Sequence, residues 1–262
     1  MTSAILEQSS SNTTAAVSLR GISMRFATPD GPGKQVLNNV NLSIPQGQFV
    51  ALVGRSGCGK TTLLNMIAGL ITPTAGQLTV LDTTARDARG RMGFMMARDA
   101  LLPWRNARRN VEYGLELRGV GRSERRDIAR RWISAVGLSD SENLWPWQLS
   151  QGMRQRVALA RTWALDPDIL LMDEPFAALD AQTRVSVQSE FIDLWQKSEG
   201  RSVVFVTHDL AEAIALADRI IILGDGDVID DITVGIDRPR DLEAVATHPR
   251  AIELMTKLRS HI

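Results

Sequence analysis

The chain has 262 residues, enough for one large domain or a domain carrying a subdomain. Its 30 basic and 30 acidic residues cancel, so no global field draws it to nucleic acid or to anionic lipid. A single cysteine, Cys58, excludes an intramolecular disulfide and fits a reducing compartment.

Residues 1–16 are mostly small and polar and are expected to form a disordered tail without an export signal. No apolar run approaches the roughly 18 residues that span a bilayer, so any membrane role must come through a partner. From Val17 onward, VSLRGI, VLNNVNLSI and QFVALV read as strands, and Gly-Pro-Gly-Lys marks a turn between the first two. A helix is predicted over Lys60–Leu70, closed by Thr72-Pro73, and QLTVL and RMGFMM follow as strand candidates. From about Asn106 to Leu165 the pattern turns helical and Arg-rich. Strand–helix alternation then returns with DILLMD, a helix from Ala181, SVVFVTH, a helix from Leu210, RIIILG and DVIDDITV. Such alternation predicts an α/β fold with a mainly parallel sheet covered on both faces. The expected division is a tail (1–16), a main domain (17–240) with a helical insertion (about 98–165), and a helical extension (241–262).

Gly54-Arg55-Ser56-Gly57-Cys58-Gly59-Lys60-Thr61 fits the phosphate-binding pattern G-x-x-x-x-G-K-[ST], after a predicted strand and before a predicted helix. The glycines let backbone N–H groups turn inward, and the helix N-terminus adds its positive dipole end. Lys60 is expected on the β- and γ-phosphates of ATP, the Thr61 hydroxyl on Mg²⁺, and Thr62 beside them. Cys58 has two readings, a small side chain filling the loop or a redox-sensitive thiol. At the end of DILLMDE, adjacent acids point different ways. Asp173 suits contact with Mg²⁺, and Glu174 suits a general base for an attacking water.

Leu149-Ser150-Gln151-Gly152-Met153 places a second Ser/Gly turn ahead of an apolar helix, where Ser150 alone would serve as an N-cap. This turn, the loop at 54–61, ILLMDEP and Ala-Leu-Asp180 together resemble the nucleotide-binding subunit of ABC transporters over residues 17–235. The resemblance implies a RecA-like P-loop NTPase core with a β subdomain and an inserted α-helical subdomain. It also implies that His208 is the switch histidine near the γ-phosphate. Phe26 falls where the family places a ring on adenine, and core packing is its other reading. Ser150 and Gly152 would close over ATP held by a second ATP-binding subunit, with Asp180 in the loop that communicates across that dimer.

Two positions depart from the family pattern. Gln151 replaces the first signature glycine and would be strained or too bulky if that position needs positive φ or close approach to phosphate. Ala97 stands where a glutamine usually ligates Mg²⁺, and its side chain can neither ligate nor hydrogen-bond. Hydrolysis is therefore expected to survive but to run slower or less tightly coupled.

DALLPWRNARRNVEYGLELRG, followed by the signature segment, resembles the nitrate/sulfonate/taurine importer branch. That branch implies membrane permease subunits, a solute-binding protein outside the membrane, and attachment at the cytoplasmic face of the inner membrane. Leu101–Trp104 would border the socket for the permease, or else pack a subdomain core. The Arg clusters at 105–109 and 122–131 read as solvated helix faces or as contacts for anionic headgroups. His248 and His261 are expected at the surface without a role. The alternative function is an ABC ATPase without transport, or a weakly hydrolytic regulatory one.

Overall fold

Two sheets organise the chain, for which a computed structural model describes residues 14–28, 31–96, 99–198, 200–238, 240 and 244–261. β1 (Ala15–Thr28) and β2 (Gly31–Pro45) form a long antiparallel pair. β3 (Phe49–Val53) then leaves for the second sheet, while β4 (Ala75–Val80) and β5 (Thr83–Thr84) complete the first in the order β2-β1-β4-β5. The second sheet has six strands. β6 (Met92–Met95), β7 (Ile169–Asp173), β8 (Ser202–Val206) and β9 (Arg219–Gly224) run parallel with β3, and β10 (Asp227–Thr233) folds back antiparallel on β9. Its order is β10-β9-β3-β8-β7-β6. β3 and β8 are buried along their whole length, which is why FVALV and SVVFV read as unbroken apolar runs.

Alternation along β3 feeds two separate cores. Phe49, Ala51 and Val53 face one with Trp163 and Phe191, whereas Val50 and Leu52 face the other with Leu63, Leu64 and Ile22. The first core takes α2 (Ala107–Leu117), α3 (Arg122–Ala135), α4 (Gln151–Trp163), α5 (Ala181–Gln196), α6 (Leu210–Leu216) and α7 (Pro249–Arg259). The second takes α1 (Lys60–Ile67) and the antiparallel sheet. Helices α2, α3 and α4 all lie in the chain between β6 and β7.

Register decides where loops emerge. Leu52 pairs with Val206, and Val206 pairs with Asp173, so β3, β8 and β7 end level at their carboxyl ends. The loops at 54–59, 174–180 and 207–209 therefore open side by side along one edge, the usual place for ligands in a parallel sheet.

Two expectations need adjustment. Ordered strand begins earlier than the predicted tail boundary: Ala15 and Ala16 belong to β1, and Ala16 is buried because β2 and β4 flank that strand. Helix α1 stops at Ile67 instead of Leu70, since Gly69 turns at φ 67° against the Ala85 backbone. Within the predicted C-terminal helical extension, α7 packs Ala251, Leu254 and Leu258 into the main core. No helix among the described residues is long and apolar enough to cross a membrane.

Candidate functional site

The loop from Gly54 to Gly59 needs its glycines for two physical reasons. Gly54 has φ 144° and Gly59 φ 107°, both outside the ordinary range of L side chains. A Cβ on Gly54 would lie 2.1 Å from the Leu223 carbonyl oxygen, and one on Gly59 would meet Leu37 at 2.6 Å. Arg55, Ser56 and Gly57 are exposed at the loop's outer side, while Cys58 is buried with its Sγ 3.9 Å from Lys60 Nζ. Cys58 thus fills the interior of the loop, as a small side chain would.

Lys60 opens α1 and is only 8% exposed. Its ammonium donates to the Gly54 carbonyl at 2.7 Å and the Arg55 carbonyl at 3.0 Å, curling back over the loop. Thr61 Oγ1 donates to Asp173 Oδ1 at 3.2 Å, joining the first turn of α1 to the end of β7. Burial pushes the Asp173 carboxyl above its usual range and the neighbouring Glu174 charge adds to this, while Thr61 and Lys60 oppose it. Glu174 takes a left-handed backbone, φ 45°, with its N–H donated to the Val206 carbonyl at 2.9 Å. That conformation costs about 1–2 kcal/mol for an L residue. The Glu174 carboxylate lies beside His208, whose Nδ1 is 3.4 Å from Glu174 Oε2.

Lys60, Thr61, Glu174 and His208 share one open cleft of about 430 Å³, which Gly54, Ser56, Gly57, Gly59, Thr62 and Val36 also line. Val36 was not foreseen; an aliphatic residue in a strand carries no chemical signal. Phe26 does not line this cleft. It is 41% exposed on β1 opposite Lys34, which rules out core packing for it. Among the described residues no three His, Cys, Asp or Glu side chains are arranged so that they could hold a metal ion by themselves. A divalent cation here would thus rest on Thr61 and Asp173, with phosphate oxygens and water supplying the rest, the habit of Mg²⁺.

The turn at 149–153 lies at the N-terminus of α4. Ser150 caps it by accepting from Met153 N at 3.2 Å. Gln151 is the first helical residue, exposed, and is not among the residues with positive φ. The strain expected of Gln151 is therefore absent: this position is ordinary helix, which any side chain adopts. Gly152 is the constrained one, since a Cβ there would lie 2.4 Å from Thr183 Cγ2 on α5. Asp180 caps α5 by accepting from Thr183 N at 3.0 Å, and this hydrogen bond holds its carboxyl below the usual range. Ala97 lies outside the described residues.

Leu101–Trp104 divides. Leu101 is buried in the main core, whereas Trp104 is 68% exposed. The turn between them is held by the buried Asn110, which accepts from Leu102 N at 2.7 Å and donates to the Arg105 carbonyl at 2.8 Å. Several cluster arginines are paired rather than free, including Arg105 with Glu116, Arg108 with Glu112 and Arg130 with Glu142. Trp104 and six arginines of α2, α3 and the preceding turn border a second open cleft of about 610 Å³. His248 has a structural duty, capping α7 by accepting from Arg250 N at 3.2 Å; His261 lies 3.7 Å from Asp230.

A glycine loop between a buried strand and a helix, at the carboxyl edge of a parallel sheet and facing a carboxylate pair, defines a P-loop nucleotide-binding protein. A family model described as ABC transporter matches residues 37–177. An uncharacterized ABC transporter ATP-binding protein of Methanocaldococcus jannaschii is 44% identical over 218 residues, 82% of this chain and 81% of that one. The aliphatic sulfonates import ATP-binding protein SsuB 2 of Pseudomonas aeruginosa is 45% identical over 224 residues, covering 86% and 77%. The taurine import ATP-binding protein TauB of Yersinia pestis is 44% identical over 204 residues, covering 77% and 80%. Among solved structures, a dimeric ATP-binding cassette in a post-hydrolysis state with ADP and Pi superposes with a TM-score of 0.75. It is 33% identical, covering 84% of this chain and 100% of that one. The chain belongs to the ABC transporter family, as one of its ATP-binding ATPase subunits.

Proposed function

We propose that this chain is the ATP-hydrolysing subunit of an importer that moves a small sulfonate- or taurine-like solute through a separate permease. The observation that carries the reading is the convergence of Lys60, Thr61, Glu174 and His208 on one cleft, with Asp173 bonded to Thr61. The solute class draws on the names of the relatives, since the ATPase itself does not touch the cargo.

The loop amides and Lys60 hold the β- and γ-phosphates, with Lys60 exchanging the Gly54 and Arg55 carbonyls for phosphate oxygens. Thr61 and Asp173 would hold Mg²⁺, which when bound would supply charge neutralisation at the transferring phosphoryl group. Glu174 orients the attacking water and receives its proton. The new bond forms from the water oxygen to the γ-phosphorus, the bond to the β,γ-bridging oxygen breaks, and ADP departs. His208, in reach of Glu174, contributes a polar contact beside the same water.

Ser150 and Gly152 serve ATP held by a second copy, and Asp180 stands at the loop between the two sites. Trp104, exposed on its anchored turn, provides a docking anchor for the permease at the cytoplasmic face of the membrane. An extracytoplasmic solute-binding protein completes the complex. The alternative of an ABC ATPase acting on nucleic acid would favour a basic surface, whereas this chain carries 30 basic and 30 acidic residues.

Glu174→Gln tests the reading. ATP turnover by the purified protein with its permease is expected to fall on the order of 100-fold or more, with ATP binding retained. Equal turnover in the two proteins would remove Glu174 as the base.

A further inference from the structure

Behind the exposed His208 lies a buried polar cluster that the reaction above does not use. Glu212, in the first turn of α6, is 7% exposed. Its Oε1 accepts from Gln188 Nε2 of α5 at 2.7 Å, and its Oε2 accepts from the Thr207 hydroxyl. Gln188 and Thr207 are themselves buried. Thr207 Oγ1 also accepts from Asp209 N at 3.0 Å, and Thr207 N donates to the Leu52 carbonyl at 3.2 Å, at the end of the strand that enters the phosphate loop. Asp209 is fixed in turn: its Oδ1 accepts from Ala211 N and Glu212 N, and its Oδ2 lies 3.4 Å from Arg184 Nη1 of α5.

Both neighbours of His208 are thus tied down, while the imidazole itself stays 65% exposed at the cleft. A sequence of the form Asp-x-x-Glu at 209–212 would ordinarily act as a capping box, with the Glu bonding back to the N-cap amide. Here the Asp209 amide goes to Thr207, and Glu212 turns inward instead. A carboxylate is buried in this way only with its hydrogen bonds made, so the cluster is rigid when complete and costly when broken.

We infer that Glu212 is a positioning residue for ATP hydrolysis: through Thr207 it fixes the 207–209 turn and so holds His208 within reach of Glu174. The inference rests on the proposed role of His208, and its test separates the two. ATP turnover and ATP affinity are measured on the full chain with its permease for Glu212→Leu, Glu212→Gln, Thr207→Val, His208→Ala and the His208→Ala/Glu212→Leu double variant.

Glu212→Leu is expected to lower kcat about tenfold or more with KM for ATP within about twofold, because misplacement acts on the chemical step and not on phosphate binding. Thr207→Val, which deletes the link with little change of shape, should lower kcat in the same direction. Glu212→Gln keeps an acceptor for Gln188 and reverses the second bond, its amide now donating to Thr207 Oγ1, and should stay within about threefold of the wild type. In the His208→Ala background, Glu212→Leu should cost nothing further.

Equal losses from Glu212→Leu with and without His208 would overturn the inference, as would wild-type kcat in Glu212→Leu or Thr207→Val. Wild-type turnover in His208→Ala would instead sink the role of His208 itself. If Glu212→Leu does not fold, Thr207→Val alone, combined with His208→Ala in the same cycle, decides the question.

Discussion

At the scale of single residues, Glu174 and Glu212 show one chemical group placed in two environments for different work. Glu174 sits at the cleft on a left-handed backbone, open to a water and to His208. Glu212 is buried, and burial pushes its carboxyl up to about 7; the Asp209 charge adds to the rise, while hydrogen bonds from Thr207 and Gln188 and the Arg184 charge oppose it. The sign of the consequence follows from linkage. The folded state holds this proton up to about pH 7, whereas the unfolded chain releases it near its ordinary value of 4.5. The stability this group contributes is complete below the unfolded value and is lost as pH rises towards 7, by roughly 3 kcal/mol at most. Glu212→Gln cannot titrate. Denaturant unfolding at pH 5 and pH 8 should therefore show the variant gaining on the wild type as pH rises; an unchanged difference would contradict a raised carboxyl.

At the scale of elements, the contact between α4 and α5 joins the 149–153 turn to the loop ending at Asp180. Gly152 allows it, because a Cβ there would meet the Thr183 methyl at 2.4 Å. Gly152→Ala is predicted to destabilise the fold by about 1–3 kcal/mol through overpacking, and adding Thr183→Ser, which deletes that methyl, should recover most of the loss. Thermal unfolding of the two variants checks this, and absence of recovery would mean that the helices separate elsewhere. A second tie runs from α4 to the turn after β6. Arg161 donates to the Ala100 carbonyl at 2.8 Å and the Asp99 carbonyl at 2.7 Å, and Arg154 Nε donates to Asp99 Oδ2 at 2.9 Å. The helix that begins at the signature turn thus grips the segment leading to Trp104, so the two can move as one body.

At the scale of the whole molecule, the phosphate cleft and the turn at Ser150 belong to one chain but are read as serving two different nucleotides. This makes assembly the relevant measurement. Glu174→Gln, which binds ATP without consuming it, is predicted to elute as a dimer when ATP is present and as a monomer without it. Adding Ser150→Arg places a bulky side chain at the turn and should return the ATP-bound protein to monomer. A dimer that persists in the Glu174→Gln/Ser150→Arg protein would show that this turn does not close over the partner's ATP.

Features legible in the amino-acid order alone were local and periodic. The glycine spacing at 54–61, the apolar run ending in Asp173-Glu174 and the strand–helix alternation follow from steric and hydrophobic rules acting over a few residues. They placed the strands of the parallel sheet and the phosphate loop without knowledge of distant contacts. Tertiary structure decided whatever depends on residues far apart in the chain. The level ends of β3, β7 and β8 bring Thr61 to Asp173 and His208 to Glu174, which no spacing encodes. Gln151, strained by analogy, proved helical, while the steric demand fell on Gly152, because α5 packs there. Glu212 lies buried instead of capping its own helix because Gln188 and Thr207 offer it hydrogen bonds from other elements. Local sequence sets the backbone's choices, but only packing decides which polar group loses water and which partners compensate it.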